Sequence, residues 1–205
     1  LSEEPELVWV FRRTDAGYFK IISTTEGGLT FAKYFRTDTD DGSGTGNYWQ
    51  NIDPGVTTAG TFTIEGADNS TNGSSKEFVG YCWHSVEGYS KVGSYTGNSN
   101  TDGPFIYTGF KPAFIMVKLS TASSGQFAIF DNKRDPDNPT GLVIYENLTA
   151  IDTDVSSYTP YDILSNGFKS RIPGGNGNEA NYNSTGQTYI YLAFAESPFK
   201  YSNAR

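Results

Sequence analysis

Asp38-Thr39-Asp40-Asp41-Gly42-Ser43-Gly44 sets three carboxylates around a glycine-rich bend. Calcium takes roughly six to eight oxygen ligands, and alternate Asp side chains beside a Gly turn can supply several of them. Asp38, Asp40 and Asp41 are therefore weak candidate calcium ligands, and no other cofactor is suggested by the residues. The register is not that of an EF-hand: Ser43 stands where the loop needs its glycine, and the closing Glu is absent. A solvated loop tip accounts for the same residues. The run Asp131–Pro139 is a second acidic candidate, although Asp and Asn ahead of Pro also initiate turns.

Aromatic residues in polar surroundings offer a different chemistry. Tyr48 and Trp49 lie in a Gly- and Asn-rich stretch with no apolar pattern around them. Tyr158, Tyr161 and Tyr182 sit in comparable polar segments further on. A ring face stacks on the C–H face of a sugar, and neighbouring Asn, Asp and Gln side chains bond to hydroxyls. These five residues are the candidate glycan contacts. The alternative is that the rings cap the ends of a core and keep only their polar tips in water.

Catalytic patterns are weak. His84 is the single histidine, so a Ser-His-Asp triad or a histidine-rich metal site must use it or be absent. No G-x-S-x-G elbow occurs. Glu65, Glu77, Glu87, Glu146 and Glu196 are available to a glycosidase, but no spacing pairs two of them across a cleft. The sequence reads as non-enzymatic.

The elements that would hold these residues are strands. Short apolar and aromatic runs recur between clusters of Gly, Asn, Asp, Ser and Thr, among them Leu7–Phe11, Phe78–Trp83, Ala113–Leu119, Phe127–Phe130, Leu142–Tyr145 and Tyr189–Phe194. Their length and their β-branched and aromatic content predict strands. Phe78–Trp83 is apolar at both parities, which predicts a sheet covered on both faces. A short helical turn is expected near Asp162–Ser165.

The chain also repeats itself. Pro5–Val10 matches Pro112–Val117, Gly17–Ile22 matches Gly125–Phe130, and Gly28–Phe31 matches Gly141–Ile144. Gly60–Ile64 matches Gly167–Ile172 after a slip, and Phe78–Trp83 matches Tyr189–Phe194. Five matches in one order indicate duplication, with loops that vary while strands do not. The expected organisation is all-β: tandem antiparallel β-sandwich repeats of jelly-roll or lectin-like type, the first over 1–90 and the second over 91–205. Gly93–Gly97 and Phe105–Phe110 open the second unit and have no counterpart ahead of Pro5. The first unit is thus expected to lack its opening strands, which upstream residues or a neighbouring subunit would supply. Leu1 in place of an initiator Met points the same way.

Charge and composition narrow the partners. A net charge of −8, with basic pairs only at Arg12-Arg13 and Lys133-Arg134, argues against a phosphate-binding face and hence against nucleic acid. No apolar run approaches the roughly 18–20 residues of a membrane-spanning helix, so no membrane insertion is expected. One cysteine, Cys82, excludes an internal disulfide and reads as a buried, inert thiol.

The segments Gly88–Asn98, Thr101–Pro112, Asp162–Lys169 and Thr188–Tyr201, with the final Asn203-Ala204-Arg205, resemble a repeated domain of uncharacterised function. That domain occurs in tail-fibre and other structural proteins of marine and environmental tailed bacteriophages. The resemblance covers most of the chain and is poorest over 36–75. It implies a virion component at a tail fibre, extracellular in its action, that attaches to a host-surface glycan or protein. It also implies association with further copies of the same chain, as a trimer in the usual fibre arrangement. A structural stalk or capsid-decorating repeat is the alternative, and a polysaccharide-cleaving tailspike domain is a third.

Overall fold

The structure, a computed structural model, describes residues 5–14, 20–23, 33–36, 44–45, 71–121, 125–145, 153–155, 160–173 and 180–198. Within these residues the chain is all-β, with antiparallel pairing throughout. The strands are β1 (Leu7–Arg12), β2 (Lys20–Ser23), β3 (Lys33–Arg36), β4 (Gly44–Thr45), β5 (Phe78–Trp83), β6 (Ser90–Thr96) and β7 (Phe105–Tyr107). They continue with β8 (Pro112–Leu119), β9 (Phe127–Asp131), β10 (Leu142–Tyr145), β11 (Thr153–Asp154), β12 (Tyr161–Leu164), β13 (Gly167–Ser170) and β14 (Thr188–Ala195). A single helical turn, α1, spans Ala180–Asn183.

Three sheets result, ordered β4-β3-β2-β1-β5, β11-β10-β9-β8-β14-β6 and β12-β13-β7. The six-stranded sheet is apolar on both faces, because β8 and β14 carry large apolar residues at both parities. Ile115, Val117, Tyr191 and Ala193 face one way and join Ile106, Ile163 and Phe168 of the three-stranded sheet in the larger core. Met116, Phe127, Ile190 and Leu192 face the other way and meet Leu7, with Trp9 and Trp83 of the five-stranded sheet packed at the margin. Each fully buried Phe, Leu or Ile in these layers contributes about 1.5–3 kcal/mol.

One strand order and one register recur in two of the sheets. Reading β1, β2, β3, β4 and β5 against β8, β9, β10, β11 and β14 gives the same sheet order in both halves. Leu7 pairs with Trp83 and Val8 with Ile22, as Phe114 pairs with Phe194 and Ile115 with Phe130. Lys33 pairs with Thr45 as Leu142 pairs with Asp154. One expected match is corrected: the counterpart of Leu142–Tyr145 is Lys33–Arg36, since Ile21 pairs with Phe35 as Ile129 pairs with Ile144. Alternation in the sequence fixes a strand's parity but not its position in the ladder, and Gly28–Phe31 itself lies outside the described residues. Gly60–Ile64 lies outside the described residues.

Two further expectations are corrected. Asp162–Ser165 is not helical: β12 turns through Ser165-Asn166 into β13, with Leu164 paired to Gly167. Nor is β5 covered on both faces, for Gly80 and Tyr81 are exposed and none of its six residues is fully buried. Among the described residues it pairs on one side only, with β1. Side chains close other edges. Ser85 Oγ accepts from the Val92 amide at 3.1 Å and donates to the Val92 carbonyl at 3.4 Å, beside the Val86–Ser90 bridge. Asn138 does the same for β12: its Nδ2 donates to the Ile163 carbonyl at 2.8 Å, and its Oδ1 accepts from the Ile163 amide at 2.9 Å. Such caps block edge-to-edge pairing.

Candidate functional site

Tyr161 and Tyr182, expected at the surface, are fully buried. Tyr161 alternates with Asp162 on β12, which turns Tyr161 and Ile163 into the larger core. The Tyr95 hydroxyl lies 2.5 Å from that of Tyr161 and donates to the Tyr182 carbonyl at 2.7 Å. The Tyr145 and Tyr182 hydroxyls are 2.6 Å apart. Burial pushes the Tyr95 and Tyr161 phenols well above their ordinary range, as removal from water disfavours the phenolate. These two rings cannot stack on a sugar. The Tyr161 hydroxyl is satisfied by Tyr95 and the Tyr182 hydroxyl by Tyr145, as buried hydroxyls must be.

The polar residues around them are also structural. Asn183 is fully buried, and its Nδ2 donates to the carbonyls of Ile172 and Asn100 at 2.7 and 2.9 Å. Its Oδ1 accepts from the Asn98 amide at 3.0 Å. In the acidic run from Asp131 to Pro139, Asp131 accepts the amides of Lys133 and Arg134 at 3.0 and 2.9 Å. Asp135 accepts those of Gly141 and Leu142. The carboxylates of this run shape a turn. Tyr48, Trp49, Tyr158, Asp38, Asp40 and Asp41 lie outside the described residues. Cys82 is half-buried, and desolvation raises its thiol.

The exposed rings lie elsewhere. On β7, Phe105 is 46% exposed and Tyr107 is 64% exposed, while Ile106 between them is buried. Both rings therefore stand on the outer face of the three-stranded sheet, roughly 7 Å apart along the strand. Glycine leaves the Phe105 ring room, for a Cβ on Gly167 would stand 3.2 Å from it.

Hydrogen-bonding groups flank the rings. Lys169 pairs with Phe105 across the ladder, and its ammonium bonds to Asp102. Arg171 lies 3.3 Å from Asp162. The Lys169 ammonium holds the Asp102 carboxyl below the usual Asp range. Each acid beside the rings is thus matched by a cation. This face can stack on apolar ring faces and bond to hydroxyls. The sequence carries a signal for it that the candidate list lacked: Phe105-Ile106-Tyr107 between Pro104 and Gly109 has two rings at one parity and one aliphatic residue at the other.

Among the described residues no group of three or more His, Cys, Asp or Glu is placed to hold a metal ion. No helix among them is long and apolar enough to cross a membrane. No curated protein and no solved structure matches the chain. A family model described as a domain of unknown function, DUF7483, matches residues 1–198, so it runs through all three sheets. The chain belongs to the DUF7483 family.

Proposed function

We propose that this chain is a non-enzymatic binding module of a phage virion, placed at a tail fibre, that attaches to glycan on the host surface. In this reading the protein is a pair of tandem β-sandwich repeats that meet near residue 90. The repeats give rigid spacing and the outer sheet face gives the contact. The observation that carries the reading is the pair of exposed rings, Phe105 and Tyr107, on one face of a packed sheet. Rings fixed on a strand lose little freedom on binding, which favours affinity from few contacts. Single contacts of this size are weak, and several copies of the chain in one fibre would multiply them. The matched charges support binding over hydrolysis: Lys169 stands against Asp102 and Arg171 against Asp162, so each acid is held in an ion pair.

Saturation-transfer NMR against a panel of bacterial surface polysaccharides tests the reading. Transfer to sugar protons is expected from the intact protein and is lost in Phe105→Ala/Tyr107→Ala. Transfer that survives in this double variant overturns the site. No transfer from any polysaccharide in the panel overturns the glycan reading.

A structural stalk repeat is the second reading. The apolar layer that joins the two sheets through Leu7, Met116 and Leu192 favours it. Repeats that share such a layer stack into rigid arrays. In that case Phe105→Ala/Tyr107→Ala leaves every host interaction of the assembled fibre unchanged.

A further inference from the structure

We infer that the edge of β5 that no described strand covers is a docking site for an extended strand of the β6 class, the opening strand of another copy of this repeat, which joins the five-stranded sheet antiparallel to β5. The duplication supplies both the site and the shape of its occupant. In the six-stranded sheet, the edge of β14 is covered by β6 over seven paired residues, from Thr188–Thr96 to Phe194–Ser90. The flanking bonds, Ala195 amide to Tyr89 carbonyl and Gly97 amide to Gln187 carbonyl, set the phase of that ladder. Tyr189, Tyr191 and Ala193 therefore turn their backbone groups toward β6.

The phase of β5 is fixed in the same way. The Arg13 amide donates to the Glu77 carbonyl at 2.8 Å, so Glu77, Val79 and Tyr81 turn their backbone groups toward β1. Phe78, Gly80 and Cys82 turn theirs to the other side. Gly80 pairs with Val10 as Tyr191 pairs with Val117, so these three residues are the counterparts of Tyr189, Tyr191 and Ala193. Both sheets thus present the same hydrogen-bonding edge in the same register. On one it is filled by β6, and on the other no described strand fills it.

The edge of β5 differs from two other exposed edges. The outer edge of β6 is capped by Ser85 and Val86, and β12 is capped by Asn138. No such cap lies on β5 among the described residues. The occupant's central residue also follows. A Cβ on Gly93 would fall 2.5 Å from the Tyr191 hydroxyl, because that ring lies over the glycine. On β5 the ring's place is taken by Gly80, so the arriving strand has room for a large side chain where β6 has Gly93. The exchange of glycine and ring across the ladder makes the two edges complementary to different strands of one class.

Fusing the segment Gly88–Lys111 directly ahead of Pro5, in place of residues 1–4, recreates the topology of the second unit. In this fused copy the residue corresponding to Gly93 is changed to Tyr. Amide hydrogen exchange at Phe78, Gly80 and Cys82 is expected to slow at least about tenfold relative to the parent chain. Exchange at Tyr191 and Ala193 should stay unchanged, which shows that the second unit is folded. Proline at the same position of the fused copy removes a ladder amide and should return exchange at Gly80 to the parent rate. Three results overturn the inference: no slowing in the Tyr fusion, equal slowing in the proline fusion, or protection in the parent that rises with its own concentration. The last would assign the edge to pairing between two β5 strands.

Discussion

Tyr161 donates its phenolic hydrogen to the hydroxyl oxygen of Tyr95, 2.5 Å away. The direction follows from the next link, because a carbonyl can only accept. Tyr95 spends its one hydrogen on the Tyr182 carbonyl, so its oxygen must accept from Tyr161. The chain of bonds ties β12 to β6 and to α1 through the centre of the larger core.

The two ends of this chain should respond unequally to mutation. Tyr95→Phe removes both bonds and leaves the Tyr161 hydroxyl and the Tyr182 carbonyl without this partner in a buried site. The expected loss is about 2–3 kcal/mol. Tyr161→Phe leaves the bond from Tyr95 to Tyr182 intact and should cost about 1 kcal/mol. Urea unfolding of the two variants gives the order directly. Equal losses would mean that the Tyr95 hydroxyl is satisfied in some other way.

Alkaline pH should act through the same pair. Both phenols are raised by burial, whereas in the unfolded chain they ionise near pH 10. The folded state therefore holds these protons more tightly. The stability this contributes is fully present below about pH 10 and falls as pH rises beyond it. A fraction of the tyrosinate absorbance should be held back until near-UV circular dichroism collapses, and then appear with it. Smooth titration of every tyrosine in a protein that keeps its dichroism would contradict the burial.

Two glycines separate steric from conformational constraint. A Cβ on Gly167 would lie 2.0 Å from the Ile106 carbonyl oxygen, a backbone atom that cannot move without opening the β13–β7 ladder. Gly167→Ala should destabilise by about 1–3 kcal/mol and disturb the Phe105 ring. Gly186 has nothing within 4 Å of its Cβ position, but its φ is +72°. Gly186→Ala should cost about 1–2 kcal/mol. Gly186→Asn should recover part of that loss, since Asn tolerates this region better. Asn at Gly167 should recover nothing. Thermal unfolding of the four variants distinguishes the two constraints.

Much of the fold was legible because sheet burial leaves a mark at every second residue. Ala113–Leu119 and Tyr189–Phe194 are apolar at both parities, and they became two adjacent interior strands of the sheet covered on both sides. Phe78–Trp83 looks the same in sequence yet forms an edge among the described strands, since nothing in a strand's own residues records whether a neighbour lies beside it. The site was less legible. Tyr161 and Tyr182 are flanked by Asp162 and Asn183, which reads as surface. Asn183 is itself buried, and its polarity is consumed by the carbonyls of Asn100 and Ile172. Phe105 and Tyr107 were hidden in the opposite way, inside a run apolar enough to pass for core. Only the depth of Ile106 between them shows which side of β7 faces water.

The central claim is that the face bearing Phe105 and Tyr107 binds host-surface glycan. Co-sedimentation of the chain with envelopes and surface polysaccharide from the bacterial host, with and without calcium, tests it most directly. The account predicts saturable binding by the intact protein. It also predicts at least about tenfold weaker binding by Phe105→Ala/Tyr107→Ala, as expected when two stacked rings are lost together. Unchanged near-UV circular dichroism in the variant would show that the sheet persists. Equal binding by both proteins, or none by the folded parent, would contradict the account.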